Sequence, residues 1–378
     1  MTRTRVMVLL MFASVAVGAT RLSPPQAAPP QAARNVILFL ADAAGVPTIN
    51  AASRFGHDAP RRLFVQRMPF IGLSDTSTAS EWVTDSAAGM TAIVSGVKTH
   101  NGVIGQGPDA VRGKTDGAPV KTLLDYAEAH GLSTGIISND AIAGATPAAL
   151  YAHVNDRSKY GDIVVQALDA HGGDGLDVLI GFAQSERAAV KASGRDLDTL
   201  VRASGRPLFT SLASVPRDAR QAFVFTDTRE FNLQEAIRVA VSILSRNPKG
   251  YFLMVESDAH TDRPEQGLRH LVQFDTIIEG EARRATPDTL LLFTADHSFD
   301  LRIHDGRNGD KVLDGLDQLE GSAARANPSL RLTHVRIDNT HTGEEVLVAA
   351  MGPGAERVHG YLDNTDLFRI MLDAWGWK

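Results

Sequence analysis

Three apolar runs punctuate the chain without any polar alternation, and each has the length of a strand. They are Val36-Ile37-Leu38-Phe39-Leu40, Phe252-Leu253-Met254-Val255 and Leu290-Leu291-Leu292-Phe293. A strand with one wet face alternates apolar and polar residues, so an unbroken apolar run predicts a strand covered on both faces, as in parallel sheets. Between these runs the spacing becomes helical. Ser86 to Val94 is small and apolar, which suits a helix lying close on a sheet. Val120 to His130 has helical spacing and stops at Gly131, a usual C-terminal signal, with a further strand expected over Thr134 to Ser138. Asn232 to Arg246 and Gly267 to Arg284 read as amphipathic helices, each leading into the next apolar strand. This alternation predicts an α/β fold, a mostly parallel central sheet sandwiched by helices in a single large domain.

Asp162 to Phe223 is less regular, with a short strand near Val178-Leu179-Ile180 and a glycine-rich loop over His171-Gly172-Gly173-Asp174-Gly175. Arg302 to Asn339 is polar and glycine-containing, and is expected to form an excursion over the site. A further strand is expected from Glu345 to Met351. No internal repeat or domain linker is evident.

The N-terminus follows a different rule. Arg3 and Arg5 precede an apolar stretch from Val6 to Ala19 that ends in small residues, the layout of a secretory signal peptide cleaved after Ala19. Residues 20–34, with the proline-, alanine- and glutamine-rich run Leu22 to Ala33, read as a tether, and 35–378 as the catalytic domain. The expected location is therefore periplasmic or secreted, with no stable membrane anchor once the leader is removed. The chain contains no cysteine, which excludes disulfides and a lipid-modified cysteine, so stability must come from core packing and bound metal. Hydrophobic residues make up 43% and charged residues 22%, a soluble globular balance. The net charge of −6 and the dispersed basic residues leave no evident nucleic-acid-binding surface.

The chemistry gathers at the ends of the apolar runs. The first ends at Asp42, the second at Glu256, and the third at Thr294-Ala295-Asp296-His297. In parallel α/β sheets the strand carboxyl ends line the ligand crevice, and carboxylates with imidazoles suit divalent metals. Thr84-Asp85-Ser86 precedes the small apolar helix. Read alone it is an ordinary N-cap cluster. Beside metal ligands, Ser86 reads as a nucleophile, with the helix N-terminus available to a phosphate or developing oxyanion. His341, just before the Glu345 strand, joins the set only with these companions.

The chain resembles the alkaline phosphatase family. The stretches that carry the likeness are Asn35-Val36-Ile37-Leu38-Phe39-Leu40-Ala41-Asp42, Val83-Thr84-Asp85-Ser86-Ala87-Ala88-Gly89, Ser95-Gly96-Val97-Lys98-Thr99, Ala145-Thr146-Pro147-Ala148-Ala149, Met254-Val255-Glu256, Thr294-Ala295-Asp296-His297 and His341-Thr342-Gly343. They occur in the family's order from Asn35 onward, though the middle matches loosely. The resemblance implies a phosphoric monoester hydrolase acting on small phosphate esters through a phosphoserine at Ser86. It implies two Zn²⁺ and one Mg²⁺. One zinc would be held by Asp42, Asp296 and His297, and the magnesium by Asp42, Thr146 and Glu256. Arg157 would grip two phosphate oxygens with its planar fork, and Asp85 would orient it. Family members are often homodimers, but no interface is identifiable here.

Two positions depart from the family's pattern. Gly144 stands where an acidic residue or histidine usually precedes the magnesium threonine by two places, which leaves the Mg²⁺ with an added water, weaker binding or no site. At the second zinc, Thr261 and Glu265 occupy the usual aspartate and histidine places. The expected replacements are His260 and His341, with Asp258 or Asp262 as the third ligand. Serine at position 86 together with Arg157 favours monoesters over the alternatives, phosphodiesters or phosphonates. The altered second zinc site leaves a catalytically silent metal- or phosphate-binding protein as the rival of another class.

Overall fold

The computed structural model describes residues 32–318 and 329–377. The expected leader and nearly all of the expected tether lie outside them. The body starts earlier than Asn35, however: Ala33 is buried and donates its N–H to Ala374 O at 2.6 Å, and Arg34 pairs with Asp288 at 3.0 Å.

Among the described residues thirteen strands run in chain order: β1 (Asn35–Asp42), β2 (Phe70–Ser74), β3 (Ser133–Ala141), β4 (Val178–Phe182), β5 (Leu208–Phe209), β6 (Ala222–Thr226), β7 (Tyr251–Asp258), β8 (Thr289–Thr294), β9 (Ser298–Ile303), β10 (Ser329–Arg331), β11 (Val335–Thr342), β12 (Val346–Met351) and β13 (Gly360–Leu362). Ten form one sheet in the order β13-β2-β12-β8-β1-β7-β3-β4-β6-β5. The stretch from β8 through β1, β7, β3, β4 and β6 to β5 is parallel throughout, and β12 alone runs against both its neighbours.

The unbroken apolar runs become the central strands because both of their faces are covered. In β1, Val36, Leu38 and Leu40 enter the core on one face, while Ile37, Phe39 and Ala41 enter the core on the other. Helices Ser86–Ser95 and Asn364–Trp375 pack together on the first side, and Val46–His57 with Pro264–Arg284 on the second. Phe39 meets Phe274 of the long helix edge-on at 5.8 Å.

The polar stretch after residue 302 does not wander as a bare loop. β9, β10 and β11 form a separate antiparallel sheet in the order β10-β11-β9. His341, expected in a loop before a strand, lies near the end of β11 opposite Phe299, beyond a register shift that separates it from Ile337.

Candidate active site

The site lies at the carboxyl ends of four adjacent strands, β3, β7, β1 and β8. Parallel register brings their ends level: Leu40 pairs with both Glu256 and Thr294, Asp42 with Asp258, and Ser138 with Glu256. Candidate ligands far apart in the chain thereby share one rim.

Two groups of donors converge there. The ligand atoms of Asp42, Asp296 and His297 lie within 4.8 Å of one another, as do those of His260, His297 and His341. His297 is common to both. Its Nε2 stands 3.2 Å from Asp42 Oδ1, 3.7 Å from Asp296 Oδ2 and 3.1 Å from Ser86 Oγ. Asp296 is buried, and its Oδ2 has no hydrogen-bond donor. Ala43, directly after Asp42, has φ of 69°, and its N–H reaches Asp296 Oδ1 at 3.4 Å. The strand thus turns sharply as it leaves the first carboxylate.

The charges explain why such a cluster of donors suits a cation. Burial and the neighbouring Asp42 push Asp296 up to about 6. Burial acts on Asp42 too, but His260 and His297 outweigh it and hold that carboxyl well below the usual range. His260 is lifted to about 10 because Asp42 and Asp258 overcome the effect of burial. His341, buried beside the two positive rings, falls to about 4. Buried carboxylates need positive partners, and a divalent ion held between them meets that need in a compact way.

Ser86 opens the helix Ser86–Ser95 and is buried. Asp85 is the N-cap: its Oδ1 accepts from Ala88 N at 3.1 Å and its Oδ2 from Arg157 Nη1 at 3.0 Å. One carboxylate therefore ties the Ser86 helix to the arginine. Asn101 Oδ1 accepts the Asp85 N–H at 2.7 Å and fixes the cap from the other side. Gly89 brings this helix onto the site. A Cβ there would lie 2.5 Å from the carbonyl oxygen of Asp296.

Glu256 and Thr146 meet away from the histidines. Both are buried, and the Glu256 carboxylate accepts a hydrogen bond from the Ser138 hydroxyl. Burial, then the charges of Asp42 and Asp140, raise Glu256 well above the usual carboxylate range.

The two acids expected as the third ligand beside His260 and His341 fall outside both donor groups. Asp258 Oδ1 instead holds the His260 ring, accepting from its Nδ1 at 2.8 Å and from the His260 N–H at 3.0 Å. Asp262 is exposed on the turn before the Pro264–Arg284 helix, where Pro264 starts a new direction of chain. The third donor nearest the two histidines is His297. Asn139 and Asp140 also belong to the site's surroundings, though the sequence pattern did not single them out. Asn139 Oδ1 accepts the Asp258 N–H at 2.8 Å and steadies the end of β7. Their only signal in the sequence is a polar pair at the end of an apolar strand.

A family model described as alkaline phosphatase matches residues 33–183 and 216–310. The streptomycin-6-phosphate phosphatase of Streptomyces griseus is 31% identical over 98% of this chain and 95% of its own. The alkaline phosphatase of Gadus morhua is 27% identical over 87% of this chain and 88% of its own. Among solved structures, the alkaline phosphatase of the Antarctic bacterium TAB5 superposes with a TM-score of 0.75 at 24% identity, covering 93% of this chain and all of that one, and supports the fold. A single-residue variant of the TAB5 enzyme is described with Mg bound in its M3 site. Sheet, donor groups and family match lead to one conclusion: the chain belongs to the alkaline phosphatase family of metal-dependent phosphoric monoester hydrolases.

Proposed function

We propose that the protein hydrolyses phosphate monoesters by in-line attack of Ser86 Oγ on phosphorus, through a phosphoserine, in a site that takes two Zn²⁺ and one Mg²⁺. The observation that carries this reading is the position of Ser86 Oγ, 3.1 Å from the Nε2 of His297, a member of both donor groups. Asp42, Asp296 and His297 would hold one zinc, and His260 and His341 the other, with His297 between them. The mixed imidazole and carboxylate donors and the orphaned Asp296 Oδ2 fit that ion. Thr146, Glu256 and Asp42 offer the all-oxygen set that suits Mg²⁺. When bound, such ions lower the pKa of a coordinated hydroxyl and neutralise charge on the oxygens being exchanged.

The protein's own groups supply orientation. Asp85 fixes the first turn of the helix and thereby the Ser86 side chain. It also presents Arg157, whose guanidinium pairs the non-bridging oxygens of the phosphoryl group and favours their charge in the transition state. The free N–H groups of the helix start add to the same field. The leader-like N-terminus supports export to the periplasm or medium. Among the described residues no helix is long and apolar enough to cross a membrane.

The test is hydrolysis of p-nitrophenyl phosphate and of bis(p-nitrophenyl) phosphate by wild type and Ser86→Ala, with metal content measured on both. Monoester turnover that falls by about 10³-fold or more in Ser86→Ala, with zinc retained, is the expected result. Turnover that survives the substitution, or a fully loaded wild type that cleaves the diester alone, would overturn the reading.

A further inference from the structure

Gly144 offers no side chain on the magnesium side of the site, and a carboxylate lies close beside it. A Cβ at position 144 would lie 2.9 Å from the Ala141 carbonyl oxygen and 3.7 Å from Asp140 Oδ2. Asp140 reaches this place through a local irregularity. The β3–β4 ladder is regular to Ser138 and shifts register before Ala141, so Asn139 and Asp140 form a bulge, a device that re-aims side chains next to active sites. The bulge is anchored at both residues. Asp140 N–H donates to Ser138 Oγ at 2.9 Å, the same hydroxyl that donates to Glu256, and Asn139 holds the backbone of Asp258. The one ion-pair partner of Asp140 among the described residues is Arg229, 2.8 Å from Oδ1, on a half-exposed side chain.

We propose that Asp140 is the acidic member of the magnesium site in this chain, replacing from the β3 bulge the side chain that Gly144 lacks. The proposal rests on the metal-dependent phosphatase reading. Glu256 and Asp140 stand outside the two tight donor groups, and only Asp42 belongs to one of them. Mg²⁺ keeps several of its waters and is bound by few carboxylates, so Asp140 need not ligate it directly. Asp140 then acts as an acceptor for the ion's water, while Arg229 neutralises the acid when the ion is absent.

The experiment is titration of the zinc-loaded protein with Mg²⁺ by calorimetry and with Mn²⁺ by electron paramagnetic resonance, with zinc counted by mass spectrometry. Wild type is compared with Asp140→Asn and with Asp140→Asn/Gly144→Asp. The expected result is one Mg²⁺ or Mn²⁺ site in wild type, weakened about 10- to 100-fold in Asp140→Asn with zinc unchanged, and regained in the double variant. Equal affinity in wild type and Asp140→Asn overturns the proposal, as does a zinc-loaded wild type that binds no Mg²⁺ while turnover still depends on Ser86. Those two results leave the phosphatase reading intact. A protein that takes up no zinc and shows no Ser86-dependent turnover overturns both. If Asp140→Asn does not fold, Arg229→Ala decides: releasing Asp140 Oδ1 should tighten Mg²⁺ binding, and unchanged or weaker binding counts against Asp140.

Discussion

Asp85 has two duties that different substitutions can separate. Its Oδ1 caps the Ser86 helix and its Oδ2 holds Arg157. Asparagine caps nearly as well as aspartate but carries no charge, whereas alanine does neither. Asp85→Asn should therefore lower kcat/KM with little change in Tm, while Asp85→Ala should lower both, the stability by about 0.5–2 kcal/mol. Equal thermal losses in the two variants would show that the cap is not the structural part of its role. Arg157→Lys keeps the charge and removes the fork. A bidentate, charge-assisted contact is worth about 1.5–3 kcal/mol, so kcat/KM for an aryl phosphate should drop about 10- to 100-fold. Steady-state kinetics at fixed ionic strength checks this.

The helix Ser86–Ser95 is built from small residues because it must lie against the strand end that carries the metal donors. Every residue in it is buried. Gly89 sets the approach, since any side chain there would press on the Asp296 carbonyl. Backbone offers no flexible atom to yield, so Gly89→Ala must push the helix away from β8. The expected outcome is a loss of about 1–3 kcal/mol in denaturant unfolding together with reduced zinc content, because Ser86 and Asp296 move apart. Normal zinc content with lowered stability would mean that the helix, not the donor group, absorbs the strain. The same logic of close layers covers β1: Leu38→Ala would open a cavity on one face of the sheet at a cost of about 2–5 kcal/mol, measurable by the same unfolding curve.

At the scale of the whole molecule, two features link stability to solution conditions. The first is the concentration of buried carboxylates at the carboxyl ends of the central strands. Ions that bind only the folded state stabilise it by mass action, about 2.7 kcal/mol at a hundred times the dissociation constant. Chelation should lower Tm, and added zinc should restore it; a Tm indifferent to chelator would argue against metal donors in the folded core. The second is Glu128, which belongs to neither donor group. Burial first, and the charges of Asp177 and Asp174, raise it to about 7, although the Thr134 hydroxyl and the Gly175 N–H bond it. Its folded pKa lies above the unfolded value, so its contribution is complete below about 4.5 and is lost as pH rises through about 7. Glu128→Gln keeps a neutral group of the same shape and should flatten that fall. Urea midpoints at pH 5 and pH 8 test it: the variant should gain on wild type at pH 8 and not at pH 5.

What the sequence determined by itself is local. Unbroken apolar runs can satisfy themselves only as covered strands, so β1, β7 and β8 and the acids at their ends were legible at once, as was the cap at Asp85. β2 and β13 were not, because their short, half-covered residues carry no periodic signal and are strands only by pairing. In the same way, spacing could name His260 and His341 but not choose between Asp258 and Asp262. Their placement depends on how the chain turns between β7 and the helix at Pro264, which leaves Asp258 on the His260 ring and Asp262 in solvent. Only the tertiary structure could place His297 in both donor groups or bring Asp140 beside Gly144. Those positions follow from strand register and a bulge, which are set by neighbours distant in the chain and leave no pattern in any short stretch of it.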